Sequence, residues 1–539
     1  MSSTKLPSKE SSKSSSSSKS SDPTYCIHIF RRDYRLDDNT TLIEACKTHD
    51  IVIPVFIFTK KQIDKSLNKY RSDNCVQFLC ESLEDLDKQI KSVSNNKSQL
   101  YIYYVDDKPT NNEYSILDTF IHMIPNLKTI SFNMDYTKYS QERNEKIKKI
   151  CESNNIKCLS LDDICLNPIG TVLNGSGNPY TKFTPFWRAS AAKEIRKSTS
   201  NHYKNYLEKK LALGSNLLKH HNSITIEDVM EPGGKYGIMP SPINEHIPER
   251  GGRTNGLAIL HKMKTWDDYG EKRDELTYKT THLSPFNKFG CVSVREEYWT
   301  MVTKLGKKGE DGLARQLFWR DFFYTLSYYH PEIYTASALN PKYRHIKWPH
   351  NALTNTRFKK WCNGETGFPV VDACMREINK TGYMHNRGRL IVCNFLCRLL
   401  HVDWKKGEHY FATKLYDYDP AQNNFGWQVS GANTSGTTAR PLEQTIMNPW
   451  LQSVQFDKNG DYIKKWMPEL ADVAARDLHR WDMVCEEYIS GSSSGSSSGK
   501  DNKKEAKTIK YIKPIIDYKE EKEKDLKMYR KYLGYGPPD

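Results

Sequence analysis

The segment TGYMHNRGRLIVCNFLCRLL (381–400), together with DYDPAQNNFGWQ (417–428), decides how the fold of this chain is interpreted. The first segment is typical of an apolar helix with a polar start, and the second is typical of a polar loop after another helix. The polar residues are His385, Asn386, Arg387 and Arg389 in the first segment and Asp417, Asp419, Asn423 and Asn424 in the second. An arginine and a carboxylate among apolar neighbours suit a large polar ring that needs a charge-assisted clamp. An ordinary ion pair explains any one of these residues. The whole set indicates a ligand site, because each polar group on a core element must be satisfied.

Composition limits the class of protein. The length of 539 residues allows two substantial domains. Lys and Arg outnumber Asp and Glu by 80 to 65, and the resulting net charge of +15 suits a polyanionic partner. The 13 cysteines are dispersed without a C-x-x-C pair, which is typical of reduced core thiols and not of a disulfide framework or a metal site. No membrane-length apolar run or signal peptide is visible, so we expect a soluble intracellular protein, in the nucleus or the cytoplasm.

Strand and helix patterns alternate in the first third of the chain. Residues 1–23 are rich in Ser and Lys and are predicted to be disordered. Over 24–167, helical stretches separate short β-rich runs, namely CIHIF (26–30), IVIPVFIF (51–58), LYIYYV (100–105), TISFNM (129–134) and IKCLSL (156–161). This alternation predicts a Rossmann-like α/β domain with a parallel sheet. A glycine-rich dinucleotide fingerprint does not follow the first run, so the sheet does not imply NAD.

The rest of the chain is predicted to be helical after a connector. Residues 168–255 contain recurrent Pro, Gly and Asn and are interpreted as an interdomain connector. Helical periodicity without strand patterns follows, which predicts an all-α domain over 256–539. Within it, GSSSGSSSG (491–499) is typical of a flexible linker. Because YIKPIIDYKEE (511–521) follows, we interpret 490–509 as an insertion into that domain.

Several stretches, in matching order, closely resemble the cryptochrome/DNA photolyase family. They are IHIFRRDYRLDDN (27–39), FTPFW (183–187), TTHLSP (280–285), QLFWRDFFY (316–324), WCNGETGFPVVDACMREINKTGYMHNRGR (361–389), DYDPAQNNFGWQ (417–428) and YIKPIIDYKEEKEK (511–524). The chain is most similar to class I-type photolyases of cyclobutane pyrimidine dimers. The resemblance implies a monomeric photo-lyase that acts on UV-damaged DNA, in which excited, reduced FAD passes an electron to a flipped-out dimer and no metal is needed. The alternatives are a cryptochrome-type blue-light photoreceptor, a (6-4) photoproduct photolyase and, more remotely, a flavoprotein that binds nucleic acid structurally.

The resemblance also implies a set of FAD-binding residues. TTHLS offers hydroxyls and backbone N–H groups at a predicted helix start, where a pyrophosphate binds well; with the residues upstream, this cradle comprises Tyr269, Arg273, Thr280, Thr281, His282, Leu283 and Ser284. Arg389 and Asp417 are expected to pair beside the flavin ring, with Asp419 at the same end and Asn386 on the helix side. Asn423 is expected opposite flavin N5, where its amide can donate a hydrogen bond to a neutral flavin radical or accept one from a reduced ring. Plant cryptochromes have Asp at that position and photolyases Asn, which favours repair.

Three tryptophans are expected to form an electron relay by the same resemblance. Trp427 corresponds to the Trp next to the flavin, and Trp404 lies 23 residues before it, as in class I photolyases. Trp348 is the candidate for the third, surface Trp, although its interval to Trp361 is longer than in the family. A single Trp is more often core packing than a redox group, so the interpretation depends on the family positions.

The expected DNA side consists of Gln316, Trp319 and Arg387. Trp319 would form one wall of a pocket for a flipped dinucleotide, whose extrusion costs less when the base pair is already damaged. Arg387 would meet a phosphate or the carbonyls of the lesion. Three residues differ from bacterial class I photolyases: Gln316 replaces a Glu, Leu390 a Met, and Val429 a second aromatic residue. (6-4) photolyases resemble this chain in having a Gln at the position of Gln316.

The lesion is predicted from proton donors. (6-4) photolyases resemble one another in a His pair that protonates the lesion, and Asn386 and Leu390 stand at the positions of that pair. His385 is shared by both classes. Since Asn and Leu cannot deliver a proton, we expect repair of cyclobutane dimers and not of (6-4) photoproducts.

A second pigment is expected in the N-terminal domain by resemblance, either a folate or a deazaflavin. Within SQERNE (140–145), Glu142 lies near the family's folate-contacting acid, whereas Gln141 replaces an Asn. The alternative interpretation is a solvated helix face.

Overall fold

The computed structural model describes residues 22–199, 218, 220–335, 338–432, 442–490 and 508–533. The predicted tail (1–23) and insertion (490–509) lie almost wholly outside the described residues, so both stay predictions. The described residues form an N-terminal α/β domain and a helix-rich C-terminal domain, which confirms the predicted fold class.

A six-stranded sheet forms the centre of the N-terminal domain. Its strands are β1 (Tyr25–Ile29), β2 (Ile51–Thr59), β3 (Tyr101–Val105), β4 (Leu127–Asn133), β5 (Lys157–Leu161) and β6 (Ser223–Ile224). The order is β5-β4-β1-β2-β3-β6, with β1 to β5 parallel and β6 antiparallel to β3. Both β1 and β2 are buried along their whole length, as expected when helices cover both faces of a parallel sheet.

Two hydrophobic cores lie on the two faces of this sheet. Helix Asp73–Val93 packs on one face with Cys26 and Phe30, while Ile27 and Ile29 face helices on the other. Alternate residues of β1 therefore enter different cores, in keeping with the period of a strand. The helices of this part are Thr40–Thr48, Lys60–Ile63, Asp73–Val93, Glu113–Met123 and Lys138–Ser153.

The range predicted as a connector, 168–255, is more regular than its composition indicated. Helix Phe183–Ala191 contains the FTPFW motif, β6 adds an edge strand to the sheet, and helix Ile226–Met230 follows. The next helix begins at Arg253, three residues before the predicted start of the helical domain. Part of this range lies outside the described residues.

All the regular elements of the C-terminal domain are helices within its described residues, in agreement with the prediction of an all-α domain. Its α-helices are Arg253–His261, Tyr269–Lys272, Ser284–Phe289, Val294–Gly309, Arg315–Tyr329, Ala352–Asn363, Pro369–Thr381, Asn386–Asn394, Trp404–Lys414, Pro420–Gly426, Pro449–Phe456, Asp461–Trp466, Ala475–Leu478, Trp481–Ser490 and Tyr518–Leu533. Short 3₁₀ turns cover Met263–Trp266, Pro331–Thr335, Pro341–Tyr343, Leu442–Thr445 and Pro468–Leu470, and π turns cover Glu310–Ala314, Phe395–Leu399 and Trp427–Gly431. Within the described ranges, none of the helices combines the length and apolar character that crossing a membrane requires.

Buried ion pairs join the two domains. Arg295 donates from Nε to Asp38 and from Nη2 to Asp163, both at 2.7 Å. Arg35 bonds the same Asp163 and donates to the Gly290 carbonyl at 3.0 Å. A Cβ at Gly290 would lie 2.1 Å from the Arg32 carbonyl, so the close approach of the domains requires a glycine there. The turn after β1 is therefore one of the contacts between the domains.

The C-terminal helix Tyr518–Leu533 packs on the helical domain through buried charges. Arg398 donates from Nη2 to Asp525 at 2.6 Å, and both side chains are fully buried. Glu521 accepts from Arg357 at 2.9 Å and lies 2.7 Å from His401 Nε2. These contacts fix the helix over the region that contains Trp348.

Candidate active site

A cavity of about 600 Å³ lies in the helical domain. Its walls include the helices Arg315–Tyr329, Asn386–Asn394 and Pro420–Gly426, together with the TTHLS segment. Every residue predicted to bind the cofactor or the substrate lines this cavity, and Trp427 lines it too. Trp404 and Trp348 lie elsewhere in the core. The segments 381–400 and 417–428 therefore meet at this cavity.

Arg389 and Asp417 form an ion pair at the cavity. Arg389 Nη2 donates to Asp417 Oδ2 at 2.8 Å, and its Nε donates to the Met384 carbonyl at 2.8 Å. Ser284 Oγ donates to the same Asp417 oxygen at 2.7 Å. The other oxygen, Oδ1, is buried without a hydrogen-bond partner, which leaves an acceptor available to a ligand.

Asn423 lies on a helix and not in the predicted polar loop. Asp419 caps that helix by accepting from the backbone N–H groups of Ala421 and Gln422, and Pro420 occupies its first turn, a common helix start. Asp419 and Pro420 therefore start a helix where the polar composition indicated a loop.

The amide of Asn423 has a fixed orientation. Its Nδ2 donates at 3.0 Å both to the Glu408 carbonyl and to Glu408 Oε1. Because an amide nitrogen has two hydrogens, both are used, and the carbonyl oxygen of Asn423 is left for the cavity. Burial raises the pKa of Glu408 to about 7, against the lowering effect of the Asn423 hydrogen bond. Glu408, which precedes Asn423 by 15 residues, was not predicted as a site residue.

The TTHLS segment leads into helix Ser284–Phe289, as predicted. Thr280 Oγ1 lies 3.0 Å from the Tyr383 hydroxyl, and the Leu283 N–H donates to Thr281 Oγ1 at 3.4 Å. His282 has a positive φ of 53°, so the backbone turns sharply there. Tyr269 and Arg273 line the same cavity.

Asp419 connects the cavity to the N-terminal domain. Its Oδ2 accepts from Arg32 Nη2 and from the Tyr324 hydroxyl, each at 2.5 Å. Although burial opposes ionisation, the charges of Arg32 and Lys288 hold the pKa of Asp419 well below its usual range. Arg32 follows β1 and is 387 residues away in sequence, so the sequence offered no local signal for this contact.

Trp427 is buried between the cavity and a second group of aromatic rings. Its ring lies 5.1 Å from Phe411 and 6.1 Å from Trp361, measured between centroids. A Cβ on Gly407 would come within 2.1 Å of this ring, so helix Trp404–Lys414 approaches closely only because Gly is present. Neither Trp361 nor Gly407 was predicted as a site residue.

The other two predicted relay tryptophans are also buried. Trp404 is 2% exposed at the start of its helix. Trp348 was predicted at the surface, and that is wrong: it is 9% exposed and packs at 6.4 Å against Tyr529 of the C-terminal helix. The ion pairs that fix the C-terminal helix are the physical reason, because they hold Tyr529 over Trp348.

The predicted DNA-side residues lie at the cavity with existing partners. Gln316 Nε2 donates to the Gly312 carbonyl at 3.2 Å, one turn back in the chain. Arg387 donates to Asp274 at 2.8 Å and lies over the Phe456 ring at 4.2 Å. The Arg387 charge is thus partly balanced before any phosphate arrives.

His385 caps helix Asn386–Asn394. Its Nδ1 accepts from the Arg387 N–H at 3.1 Å, and its Nε2 is buried without a partner. Burial, aided by the charges of Arg387 and Arg389, lowers the pKa of this imidazole to about 4, although Asp274 acts in the opposite direction. The ring is therefore neutral at pH 7.

The two residues considered for a second pigment lie on helix Lys138–Ser153. Glu142 is exposed, and Gln141 Nε2 donates to the Tyr136 carbonyl at 2.9 Å. A folate or deazaflavin in this domain stays a prediction.

The cavity residues fit FAD. The buried Asp417 Oδ1 lacks a partner, an arginine lies beside it, and the volume is in the range of ligand pockets. Arg389, Asp417 and Asn423 would hold the ring system, and the TTHLS segment would hold the phosphates.

Comparison with known proteins identifies the family. A family model described as the FAD binding domain of DNA photolyase matches residues 313–531, and one described as DNA photolyase matches residues 26–202. The structure of an archaeal photolyase from Sulfolobus tokodaii with two FAD molecules is 31% identical, with a TM-score of 0.74, and the match covers 94% of this chain and 100% of that one. The chain belongs to the DNA photolyase family. This membership confirms the predicted photo-lyase class and the FAD cofactor.

Two further proteins are similar along nearly their whole length. A deoxyribodipyrimidine photo-lyase from Vibrio cholerae is 28% identical over 517 residues, covering 94% of this chain and 99% of its own. A cryptochrome from Synechocystis is 23% identical with a TM-score of 0.74, covering 94% and 99% of the two chains. The second likeness shows the fold alone.

Proposed function

We propose that this protein repairs cyclobutane pyrimidine dimers in DNA by light-driven electron transfer, with the dimer flipped into the cavity. The observation that carries the choice of lesion is the wall formed by helix Asn386–Asn394. Asn386 and Leu390 line the cavity there, and His385 at the helix start has a pKa of about 4. This wall therefore has no side chain that donates a proton readily at neutral pH. Splitting a cyclobutane ring requires only that an electron arrives and returns.

The residues around the cofactor have separate tasks in this proposal. Bound FAD, when reduced and excited by light, supplies the electron for repair. Arg389 and Asp417 position its ring system. Asn423, with both N–H groups held by Glu408, offers a carbonyl oxygen that accepts a hydrogen bond from a protonated ring nitrogen. Trp427 forms the wall through which electrons reach the cavity from the protein.

DNA would bind through charge and shape. The net charge of +15 supports attraction to phosphates without sequence readout. Arg387 would contact a phosphate or the lesion in competition with Asp274, whose side chain is 39% exposed. We propose that the protein works as a monomer.

The test uses three matched oligonucleotides that carry a cyclobutane thymine dimer, a (6-4) photoproduct or undamaged thymines at the same position. With FAD-loaded, chemically reduced protein under blue light, we expect reversal of the dimer and no change in the (6-4) product. The variant His385→Asn keeps an N-cap residue and should still repair the dimer, because the imidazole delivers no proton in this reaction.

Two outcomes would replace the proposal. Reversal of the (6-4) product alone would favour that lesion, which Gln316 also fits by resemblance. Photoreduction of FAD without repair of either lesion would favour a photoreceptor.

A further inference from the structure

Two cysteines of the N-terminal domain lie together at the end of helix Lys138–Ser153. Cys151 is in the last turn of this helix, and the Ile156 N–H donates to the Cys151 carbonyl at 3.0 Å. Ile156 therefore lies beside Cys151, and strand β5 begins at the next residue, Lys157. Since successive side chains of an extended chain point to opposite sides, Cys158 lies on the same side as Ile156. Both cysteines and Ile156 pack in the same hydrophobic cluster.

The two thiols form a hydrogen bond in which Cys151 is the donor and Cys158 the acceptor. Cys151 is fully buried, whereas Cys158, on the edge strand β5, is partly exposed. This bond and burial both raise the pKa of the Cys151 thiol. The same bond lowers the pKa of the Cys158 thiol; burial opposes this, but the charges of Arg31 and Lys148 add to it. The pair therefore combines an accessible thiol that ionises readily with a buried thiol that stays protonated.

Cys158 differs from the other cysteines of the chain. All 13 cysteines lie within the described residues, and three of them are partly exposed, namely Cys75, Cys158 and Cys362. Burial raises the pKa of Cys75 to about 11 and that of Cys362 to about 12. Cys393 and Cys397, one helical turn apart, are both buried, and burial also raises their pKa values. Because the thiolate is the reactive form of cysteine, we expect Cys158 to react first.

We propose that Cys151 and Cys158 form a peroxide-reactive dithiol, which hydrogen peroxide converts reversibly into a disulfide. The Cys158 thiolate attacks one peroxide oxygen, so that an S–O bond forms, the O–O bond breaks and the released hydroxide takes up a proton to become water. The Cys151 thiol then attacks the Cys158 sulfur, which forms the S–S bond and releases the sulfenic oxygen, with the Cys151 proton, as a second water. Peroxide gains the two electrons that the thiols lose.

The disulfide would add a covalent link to an existing contact. Besides the bond from Ile156, the Asn154 N–H donates to the Cys151 carbonyl at 3.2 Å, so the turn between the helix and β5 is already held closed. Oxidation should therefore leave the fold intact. FAD content should not change either, because the cofactor cavity lies in the helical domain. An external dithiol such as dithiothreitol should reverse the reaction by returning two electrons and becoming a disulfide itself.

The experiment treats full-length, FAD-loaded protein with hydrogen peroxide in the dark, blocks free thiols with N-ethylmaleimide and digests the protein with trypsin without reductant. Trypsin cleaves after Lys157, so Cys151 and Cys158 fall in different peptides, 150–157 and 158–182. Mass spectrometry should find these two peptides linked. The number of free thiols in the denatured protein should fall by two from 13, and dithiothreitol should restore it.

Variants separate the roles of the two cysteines. Cys158→Ser should lose no thiols under the same treatment, and Cys151→Ala should accumulate the Cys158 sulfenic acid, which dimedone traps, without forming a link. Cys362→Ser is the matched control, because Cys362 is also partly exposed but has a raised pKa; it should form the same disulfide as the unmodified protein. In the unmodified protein, Cys158 should react with peroxide at least about 10-fold faster than Cys362.

Three results would overturn the proposal. They are equal reaction rates of Cys158 and Cys362, oxidation of Cys158 without a link to Cys151, and a link from Cys158 to Cys165, which shares its tryptic peptide. All three are measured in the unmodified protein, so they decide the question even if a variant fails to fold. None of them involves DNA or light, so the failure of this proposal is distinguishable from failure of the proposed function.

Discussion

Removing the Arg389 guanidinium should both destabilise the helical domain and release FAD. Asp417 is 3% exposed at its side chain, and its Oδ2 accepts hydrogen bonds from Arg389 and Ser284. Arg389→Met retains the aliphatic part of the side chain. The buried Asp417 carboxylate then loses its charged partner and keeps the hydrogen bond from the Ser284 hydroxyl.

The size of the effect follows from burial. Removing one member of a buried ion pair costs on the order of 3–5 kcal/mol, mostly because the remaining charge is uncompensated. Since Arg389 is 25% exposed, water can partly solvate the remaining site, and we expect the lower end, about 3 kcal/mol. In the double variant Arg389→Met/Asp417→Asn the stranded charge is gone, so most of this loss should be recovered.

The assay is a double-mutant cycle with Arg389→Met, Asp417→Asn and the double variant, compared with the unmodified protein. Urea unfolding followed by tryptophan fluorescence gives the free energies, and the ratio of flavin to protein absorbance gives FAD content. Additive losses, with a coupling energy under about 0.5 kcal/mol, would show that the two residues do not act as a pair. A fully flavin-loaded Arg389→Met protein would remove Arg389 from the cofactor site.

Three further outcomes are expected. Trp427→Phe should block photoreduction of bound FAD yet spare repair by chemically reduced protein, as flavin absorbance and dimer reversal can show separately. Burial raises the pKa of Glu408 from 4.5 to about 7. The stability that the protonated Glu408 carboxyl contributes is therefore fully present below pH 4.5 and is lost as pH rises through 7. In Glu408→Gln, the free energy of unfolding should fall by about 3 kcal/mol less between pH 4.5 and 8 than in the unmodified protein. Arg398→Met leaves the fully buried Asp525 unpaired and should cost about 3–5 kcal/mol, detectable as faster proteolysis of the C-terminal helix, whereas unchanged protection would contradict this role of the pair.

Local sequence patterns predicted much of the fold and the composition of the cavity. The five β-rich runs became strands because each is a short apolar segment bounded by turns, and parallel strands buried on both faces carry that signal strongly. The cavity residues could be named because the family resemblance fixes them by motif. Helix Pro420–Gly426 was missed since polar composition concealed a capped helix start at Asp419.

Contacts between distant segments could not be predicted in this way. Glu408 orients Asn423, and Arg32 reaches Asp419, only after separate helices and domains have packed together. Trp348 became buried for the same reason, because the C-terminal helix that covers it is about 170 residues further along the chain. Neither propensity nor spacing contains this information.

Helix Arg315–Tyr329 links domain contact to the cavity wall. Trp319 and Phe323 on this helix line the cavity. The residues that follow them in sequence, Arg320 and Tyr324, form hydrogen bonds with the N-terminal domain. Arg320 donates to the Ile164 carbonyl at 2.8 Å, and Tyr324 accepts from Arg32 at 2.6 Å. Because a helix turns as a rigid unit, the interdomain bonds also set the angle at which the two aromatic rings face a ligand. The N-terminal domain therefore shapes the cavity through these hydrogen bonds.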